Sequence, residues 1–99
     1  MDKIDVAVIL GSDSDLELGK AAIKSLKSFD LSCELKVISA HRSPDVLVDY
    51  LQSSQQNGCR AYIAIAGMAA HLAGAVAANS TKPVLGCLLY TSDAADDGG

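Results

Sequence analysis

The run Ile4-Asp5-Val6-Ala7-Val8-Ile9-Leu10 decides the fold class, because its aliphatic side chains occupy successive positions instead of alternate ones. A strand that is apolar on both faces is typical of a parallel sheet with helices on each side. The segment Gly11–Asp15 interrupts this run, and apolar or small residues then recur at spacings of three and four, as on one face of a helix: Leu16, Gly19, Ile23 and Leu26. The sequence therefore opens with a strand followed by a helix.

Strand and helix patterns continue to alternate along the chain. Leu31 to Ile38 is predicted as a second strand, which is less apolar and so nearer a sheet edge, and Ala61 to Ala66 as a third. A fourth begins at Pro83-Val84-Leu85-Gly86. Helical patterns lie at Val46 to Gln55 and from the Gly67–Gly74 segment to about Asn79. Short connections and right-handed crossovers predict a parallel sheet of about four strands with helices on its faces.

Local signals mark the helix ends. Ser14 with Glu17 fits the capping-box pattern at the start of the first helix. Ser43 is the expected N-cap of the second helix and Pro44 its first residue, since proline needs no amide donor there. Asn57-Gly58 is expected to end that helix.

Composition excludes several classes of protein. The chain has 99 residues and a net charge of −4, with no cluster of Lys or Arg, which argues against nucleic-acid binding. No apolar run reaches the roughly 20 residues that cross a bilayer, and the N-terminus lacks the pattern of a signal peptide, so we expect a cytoplasmic protein without a membrane partner. Three widely spaced cysteines predict reduced thiols and no metal site.

Three loops carry the polar residues of interest. The loops Gly11–Asp15, Ser39–Asp45 and Gly67–Gly74 each follow a predicted strand. The carboxyl ends of parallel strands share one edge, where open α/β sheets bind ligands. We therefore expect five side chains to lie in one neighbourhood: Ser12, Asp15, His41, Arg42 and His71.

These side chains suit a phosphorylated substrate. The first helix start, beside Gly11 and Ser12, can hold an anion, and Arg42 can contact a phosphate or carboxylate. His41 can move a proton near neutral pH, and Asp15 can orient a ribose hydroxyl or ring nitrogen. Each of these residues also has a structural interpretation. Ser12 and Asp13 can simply form the turn before the helix, Asp15 suits a helix start, and Asp45 is a first-turn acid. His41 and His71 can be structural residues. The glycine spacing matches neither a P-loop nor a dinucleotide fingerprint.

Four segments resemble the PurE family of purine biosynthesis, the N5-carboxyaminoimidazole ribonucleotide mutases. They are Gly11–Asp15, Ser39-Ala40-His41-Arg42-Ser43-Pro44-Asp45, Gly67-Met68-Ala69-Ala70-His71-Leu72-Ala73-Gly74 and Pro83–Gly86. The second segment is the most specific. The form of the third resembles the mutase class and not the animal-type class that uses free carbon dioxide.

The resemblance implies a three-layer, flavodoxin-like α/β/α fold, no metal or organic cofactor, and a homo-octamer. It implies transfer of a carboxylate from the exocyclic nitrogen to ring carbon C4 of an imidazole ribonucleotide in a closed pocket. His41 would be the general acid–base. The remaining implied site residues would contact the substrate: Ser12, Asp15, Ser39, Ala40, Arg42, Gly67, His71 and Leu72.

Two further expectations concern the end of the chain and the alternatives to a mutase. Residues 1–89 are expected to form one α/β domain, shortened relative to the family, and residues 90–99 an acidic, flexible, non-native tail; Cys87 onward does not match the family pattern. One alternative is a phosphate- or nucleotide-binding module, or inactive fragment, without chemistry. Another is an aspartyl-phosphate enzyme that uses Asp13 or Asp15.

Overall fold

The computed structural model describes residues 3–66 and 69–88, with the side chains at 69, 70, 87 and 88 excepted. Within these residues four strands alternate with three helices, as the periodicity predicts. Their bounds are β1 Val6–Leu10, α1 Leu16–Lys27, β2 Cys33–Val37, α2 Pro44–Gln56, β3 Ala61–Ala66, α3 Ala69–Ala78 and β4 Val84–Leu88. The tail expected at residues 90–99 lies outside the described residues, and so does Gly67.

The four strands form one parallel sheet in the order β2-β1-β3-β4. Val6 of β1 is in register with Cys33 of β2 on one side and with Ala61 of β3 on the other. The most apolar strand is therefore central. β2 lies at an edge, as its more polar sequence predicts.

Helices cover both faces of the sheet and give the predicted three layers. On the face of α2 and α3, the buried cluster includes Ile9, Leu51 and Tyr62. On the α1 face, Val8, Leu10 and Ile65 are buried beneath α1. Burying a side chain of this size stabilises the fold by roughly 1.5–3 kcal/mol. No helix in the described ranges is long and apolar enough to cross a membrane.

The start of the first helix differs from the capping-box prediction. A short 3-10 turn, Asp13–Asp15, precedes α1, and the Ser12 hydroxyl caps it by accepting a hydrogen bond from the Ser14 amide. Asp15 is the N-cap residue of α1 and makes no side-chain capping bond. The expected pair of Ser14 and Glu17 is therefore wrong, because the extra turn takes up Ser14.

The second helix begins and ends where its sequence predicts. Ser43 occupies the N-cap position and Pro44 the first turn, although the Ser43 side chain makes no capping bond. After Gln56, Gly58 adopts a φ of +96°, a conformation that favours glycine and turns the chain out of α2.

Candidate active site

A cavity of about 340 Å³ opens at the carboxyl edge of the sheet. It lies where the loops after β1 and β2 meet the end of β3 and the first turn of α3. Its lining residues are Gly11, Ser12, Ser14, Asp15, Ser39, Ala40, His41, Ala66, His71 and Leu72. Three parts of the chain that are far apart in sequence thus form one concave site, as expected for this sheet edge.

The loop after β1 forms a polar wall of the cavity. The Gly11 amide donates to the carbonyl of Ile65 at 3.1 Å, which holds the loop against β3. A Cβ atom at Gly11 would lie 3.0 Å from the Cβ of Ala66, so the absence of a side chain permits this close approach. The hydroxyls of Ser12 and Ser14 are 2.6 Å apart and share a hydrogen bond. Both hydroxyls are exposed and lie beside the start of α1.

The loop after β2 is a tight turn organised by Ser39. The Ser39 hydroxyl accepts a hydrogen bond from the Arg42 amide at 3.1 Å, and its carbonyl accepts one from the Ser43 amide at 2.8 Å. This turn presents His41 to the cavity and to solvent. Arg42 is exposed and is not among the lining residues, so the structure does not bring it to the cavity with the other expected side chains.

The imidazole rings of two cavity residues, His41 and His71, lie close to each other. The ring centroids of His41 and His71 are 6.2 Å apart, and the ring planes meet at 69°, an edge-to-face arrangement. His71 is exposed, whereas the next residue, Leu72, is 3% exposed and contributes an apolar wall. The site thus combines two groups that can carry protons with an apolar surface on which a flat ring can pack.

The residue chemistry of this cavity suits acid–base catalysis on an anionic ligand. The Ser12 and Ser14 hydroxyls and the start of α1 favour binding of a phosphate. Imidazole can exchange a proton near neutral pH. In the part of the chain that the structure describes, no cluster of three or more His, Cys, Asp or Glu residues could hold a metal ion.

Three lining residues are not among the expected substrate contacts: Gly11, Ser14 and Ala66. The sequence places Gly11 beside an anion site, Ser14 in a helix cap and Ala66 at the end of a strand. The position of Ala66 at the carboxyl end of β3 was the available signal, because strand ends of this kind face the ligand edge.

Fold and site together define an α/β protein with a cavity at the carboxyl edge of a parallel sheet. The family model described as AIR carboxylase matches residues 5–97, and the chain belongs to this family. The resemblance to the PurE family seen in the sequence motifs is thereby confirmed.

Two similar curated proteins are named as mutases. The chain is 48% identical to the N5-carboxyaminoimidazole ribonucleotide mutase of Pyrococcus abyssi over 81 residues, which are 82% of this chain and 47% of the relative. It is 48% identical to the mutase of the same name from Synechocystis sp. over 86 residues, 87% of this chain and 49% of the relative. The chain thus spans about half the length of these relatives.

A solved structure supports the fold. The crystal structure of Treponema denticola PurE matches with a TM-score of 0.84 at 24% sequence identity, covering 92% of this chain and 58% of that one. The flavodoxin-like α/β prediction is confirmed by this likeness.

Proposed function

We propose that this protein is a subunit of an N5-carboxyaminoimidazole ribonucleotide mutase of purine biosynthesis. The observation that carries the proposal is that His41 lines the same cavity as Ser12 and Ser14. A proton carrier and an anion site in one cavity suit a small ribonucleotide. The names of the curated relatives supply the substrate class.

The substrate would bind with its phosphate at the loop after β1. Ser12 and the start of α1 would receive the phosphate, and Asp15 would accept a hydrogen bond from a ribose hydroxyl. Ser39, Ala40 and Leu72 would surround the imidazole ring, with Gly67 and His71 beside it. Arg42 is exposed and does not line the cavity, so its contact with the phosphate would require its side chain to turn toward the loop after β1.

His41 would act first as an acid and then as a base. As the bond between the exocyclic nitrogen and the carboxylate breaks, its electron pair stays on nitrogen, which takes a proton from the His41 imidazolium, and carbon dioxide is released. Ring carbon C4 then attacks the carbon dioxide and forms a carbon–carbon bond. The neutral imidazole removes the C4 proton, which restores His41 to its starting state. The carboxylate transfer and the two proton transfers balance without a redox or metal cofactor.

The released carbon dioxide must be retained, so the working site must be closed. His41 and His71 are exposed in the single chain. We therefore propose that a cover is contributed by further polypeptide, most simply by other copies in a cytoplasmic homo-oligomer, which the family resemblance implies to be an octamer.

The test is conversion of N5-carboxyaminoimidazole ribonucleotide to the C4-carboxylated isomer, followed by ultraviolet absorbance. The wild-type chain should turn over and His41→Asn should not, while retaining substrate affinity. Asp45→Asn is the matched control, because Asp45 is an exposed acid in the first turn of α2, close to His41 in the chain, and does not line the cavity. Turnover by His41→Asn would refute the role of His41.

A non-catalytic phosphate-binding module is the second candidate, favoured by the exposure of both imidazoles. A folded wild-type chain that binds the ribonucleotide without turning it over would select this candidate. An aspartyl-phosphate enzyme would have to use Asp15, because Asp13 does not line the cavity. Loss of activity on chelating magnesium would favour that enzyme, whereas the mutase should be indifferent.

A further inference from the structure

Two elements flank the turn that carries His41, and a side-chain hydrogen bond joins them. The turn from Ser39 to Ser43 connects the end of β2 to the start of α2. The hydroxyl of Tyr50 in α2 donates a hydrogen bond to the carboxylate of Glu34 in β2. Within the described residues, no other side-chain hydrogen bond links this strand to this helix. A single polar contact therefore holds together the two elements that the turn connects.

This contact supplies a direction that the apolar packing of α2 lacks. Leu47 and Leu51 of α2 belong to the buried apolar cluster on the sheet. Tyr50 lies beside them and contacts the edge strand β2 instead. Apolar burial is non-directional, so it permits small shifts of a helix, whereas a hydrogen bond fixes the distance and angle between two groups. The Tyr50 bond is thus suited to set the position of α2 relative to β2.

Polar contacts, more than close packing, hold the Tyr50 ring. Its hydrogen bond to Glu34 is charge-assisted, a kind roughly twice as strong as a bond between neutral groups. Lys36 follows Glu34 by two residues in β2, and its Nζ lies 5.8 Å from the ring centroid, within range of a cation–π attraction. A cavity of about 190 Å³ lies beside the ring, lined in part by Glu34, Lys36 and Asn57. The ring is therefore not enclosed by side chains on that side.

The turn moves with α2, because its last residue is bonded to the helix. The amide of Leu47 donates to the carbonyl of Ser43 at 3.2 Å. The amide of Ser43 donates to the carbonyl of Ser39 at 2.8 Å. A shift of the helix is therefore transmitted to Ser43 and then to Ser39, and His41 lies between these two residues in the chain.

We propose that Tyr50 is a positioning residue: its hydrogen bond to Glu34 fixes α2 against β2 and thereby orients His41 toward the cavity. The effect on catalysis rests on the proposed acid–base role of His41, whereas the effect on the turn does not. When the bond is lost, the turn samples more positions, and fewer molecules hold the imidazole where proton transfer is productive. Tyr50 does not line the cavity, so substrate binding should change little.

The first test is hydrogen exchange of the Arg42 and Ser43 amides, measured without substrate. Tyr50→Phe removes only the hydroxyl and should speed the exchange of both amides about fivefold, because surface turns exchange by local opening. Tyr62→Phe is the matched control, since it removes a buried hydroxyl that also bonds α2, but from β3. In this control the two amides should stay within about twofold of wild type.

Variants of Glu34 test the other end of the bond. Glu34→Gln keeps an acceptor for the Tyr50 hydroxyl, so the turn amides should exchange within about twofold of wild type. Glu34→Ala removes the acceptor and should speed their exchange about fivefold, with no further effect when it is combined with Tyr50→Phe. Circular dichroism of each variant checks folding.

The mutase assay completes the test. In Tyr50→Phe, kcat should fall about 3–10-fold with KM within about twofold of wild type, and Tyr62→Phe should keep wild-type values. Unchanged exchange in Tyr50→Phe, or equal acceleration in Tyr50→Phe and Tyr62→Phe, would overturn the proposal. Faster exchange with wild-type kcat would also overturn it, by limiting Tyr50 to a structural role. A wild-type chain without turnover would refute the mutase function instead, and hydrogen exchange alone would then decide whether Tyr50 positions the turn.

Discussion

The imidazole of His71 meets that of His41 edge to face, with ring centroids 6.2 Å apart. The two residues come from different parts of the chain: His41 from the turn after β2 and His71 from the first turns of α3. Edge-to-face aromatic contacts favour one relative orientation of the rings. We therefore expect His71 to orient the proposed acid–base group.

Two substitutions at His71 distinguish the effect of its aromatic ring from the effect of its polar nitrogen atoms. His71→Phe keeps an aromatic edge, and His71→Asn keeps a polar group but loses the ring. If the ring contact orients His41, the Phe variant should retain most of the mutase kcat, and the Asn variant should lose about 10–100-fold. Thermal unfolding should change little in either, because His71 is exposed. Wild-type kcat in both variants would contradict the positioning role.

Two helical glycines, Gly19 in α1 and Gly74 in α3, should respond to alanine substitution in opposite directions. A Cβ atom at Gly19 would lie 2.8 Å from Leu35 Cδ1 and 3.0 Å from the Leu10 methyl groups, whereas at Gly74 nothing lies within 4 Å. Gly19→Ala should lower the free energy of unfolding by about 1–2 kcal/mol, and Gly74→Ala should raise it by about 0.5–1 kcal/mol. Urea unfolding measures both, and stabilisation by Gly19→Ala would show that the leucines move aside freely.

The buried hydroxyl of Tyr62 links β3 to α2. It lies 2.6 Å from the Ser54 hydroxyl and donates to the carbonyl of Leu51 at 3.2 Å. Tyr62→Phe and Ser54→Ala should each cost about 1–2 kcal/mol, and the double variant less than their sum, since both remove the same hydrogen bond. Ser53→Ala, at an exposed neighbour, is the control with a change below about 0.5 kcal/mol. Strict additivity in denaturant unfolding would argue against the bond.

Stability should fall in alkali because of Tyr50. Burial, and then its hydrogen bond to the Glu34 carboxylate, raises the pKa of Tyr50 above its usual range. The unfolded chain releases this proton near pH 10, while the folded chain keeps it. The folded state then binds more protons, so the free energy of unfolding decreases as pH rises above about 10. In urea unfolding between pH 8 and 11, Tyr50→Phe should show a shallower decrease than wild type; parallel curves would contradict the assignment.

Much of the fold followed from local patterns. The continuous apolar run at Val6–Leu10 and the polar composition of Cys33–Val37 predicted a central and an edge strand, because burial on two faces demands apolar residues at successive positions. Gly58 also predicted the end of α2 from a local property, because glycine readily adopts the positive φ that the chain has at this position.

The parts of the site that sequence did not predict depend on loop geometry. Ser14 lines the cavity instead of capping α1 because a 3-10 turn precedes that helix, and nothing in the spacing distinguishes the two ways to begin it. The position of Arg42 away from the cavity follows from the turn that Ser39 closes, a contact between backbone and side chain that periodicity does not encode.

The central position of β1 has a consequence during synthesis. Of the four described strands, Val6–Leu10 leaves the ribosome first, and β2 can pair with it early, but its other neighbour, β3, begins only at Ala61. Until that segment emerges, the most apolar strand of the nascent chain has an unpaired edge. We expect such an intermediate to be the species most prone to aggregate during synthesis.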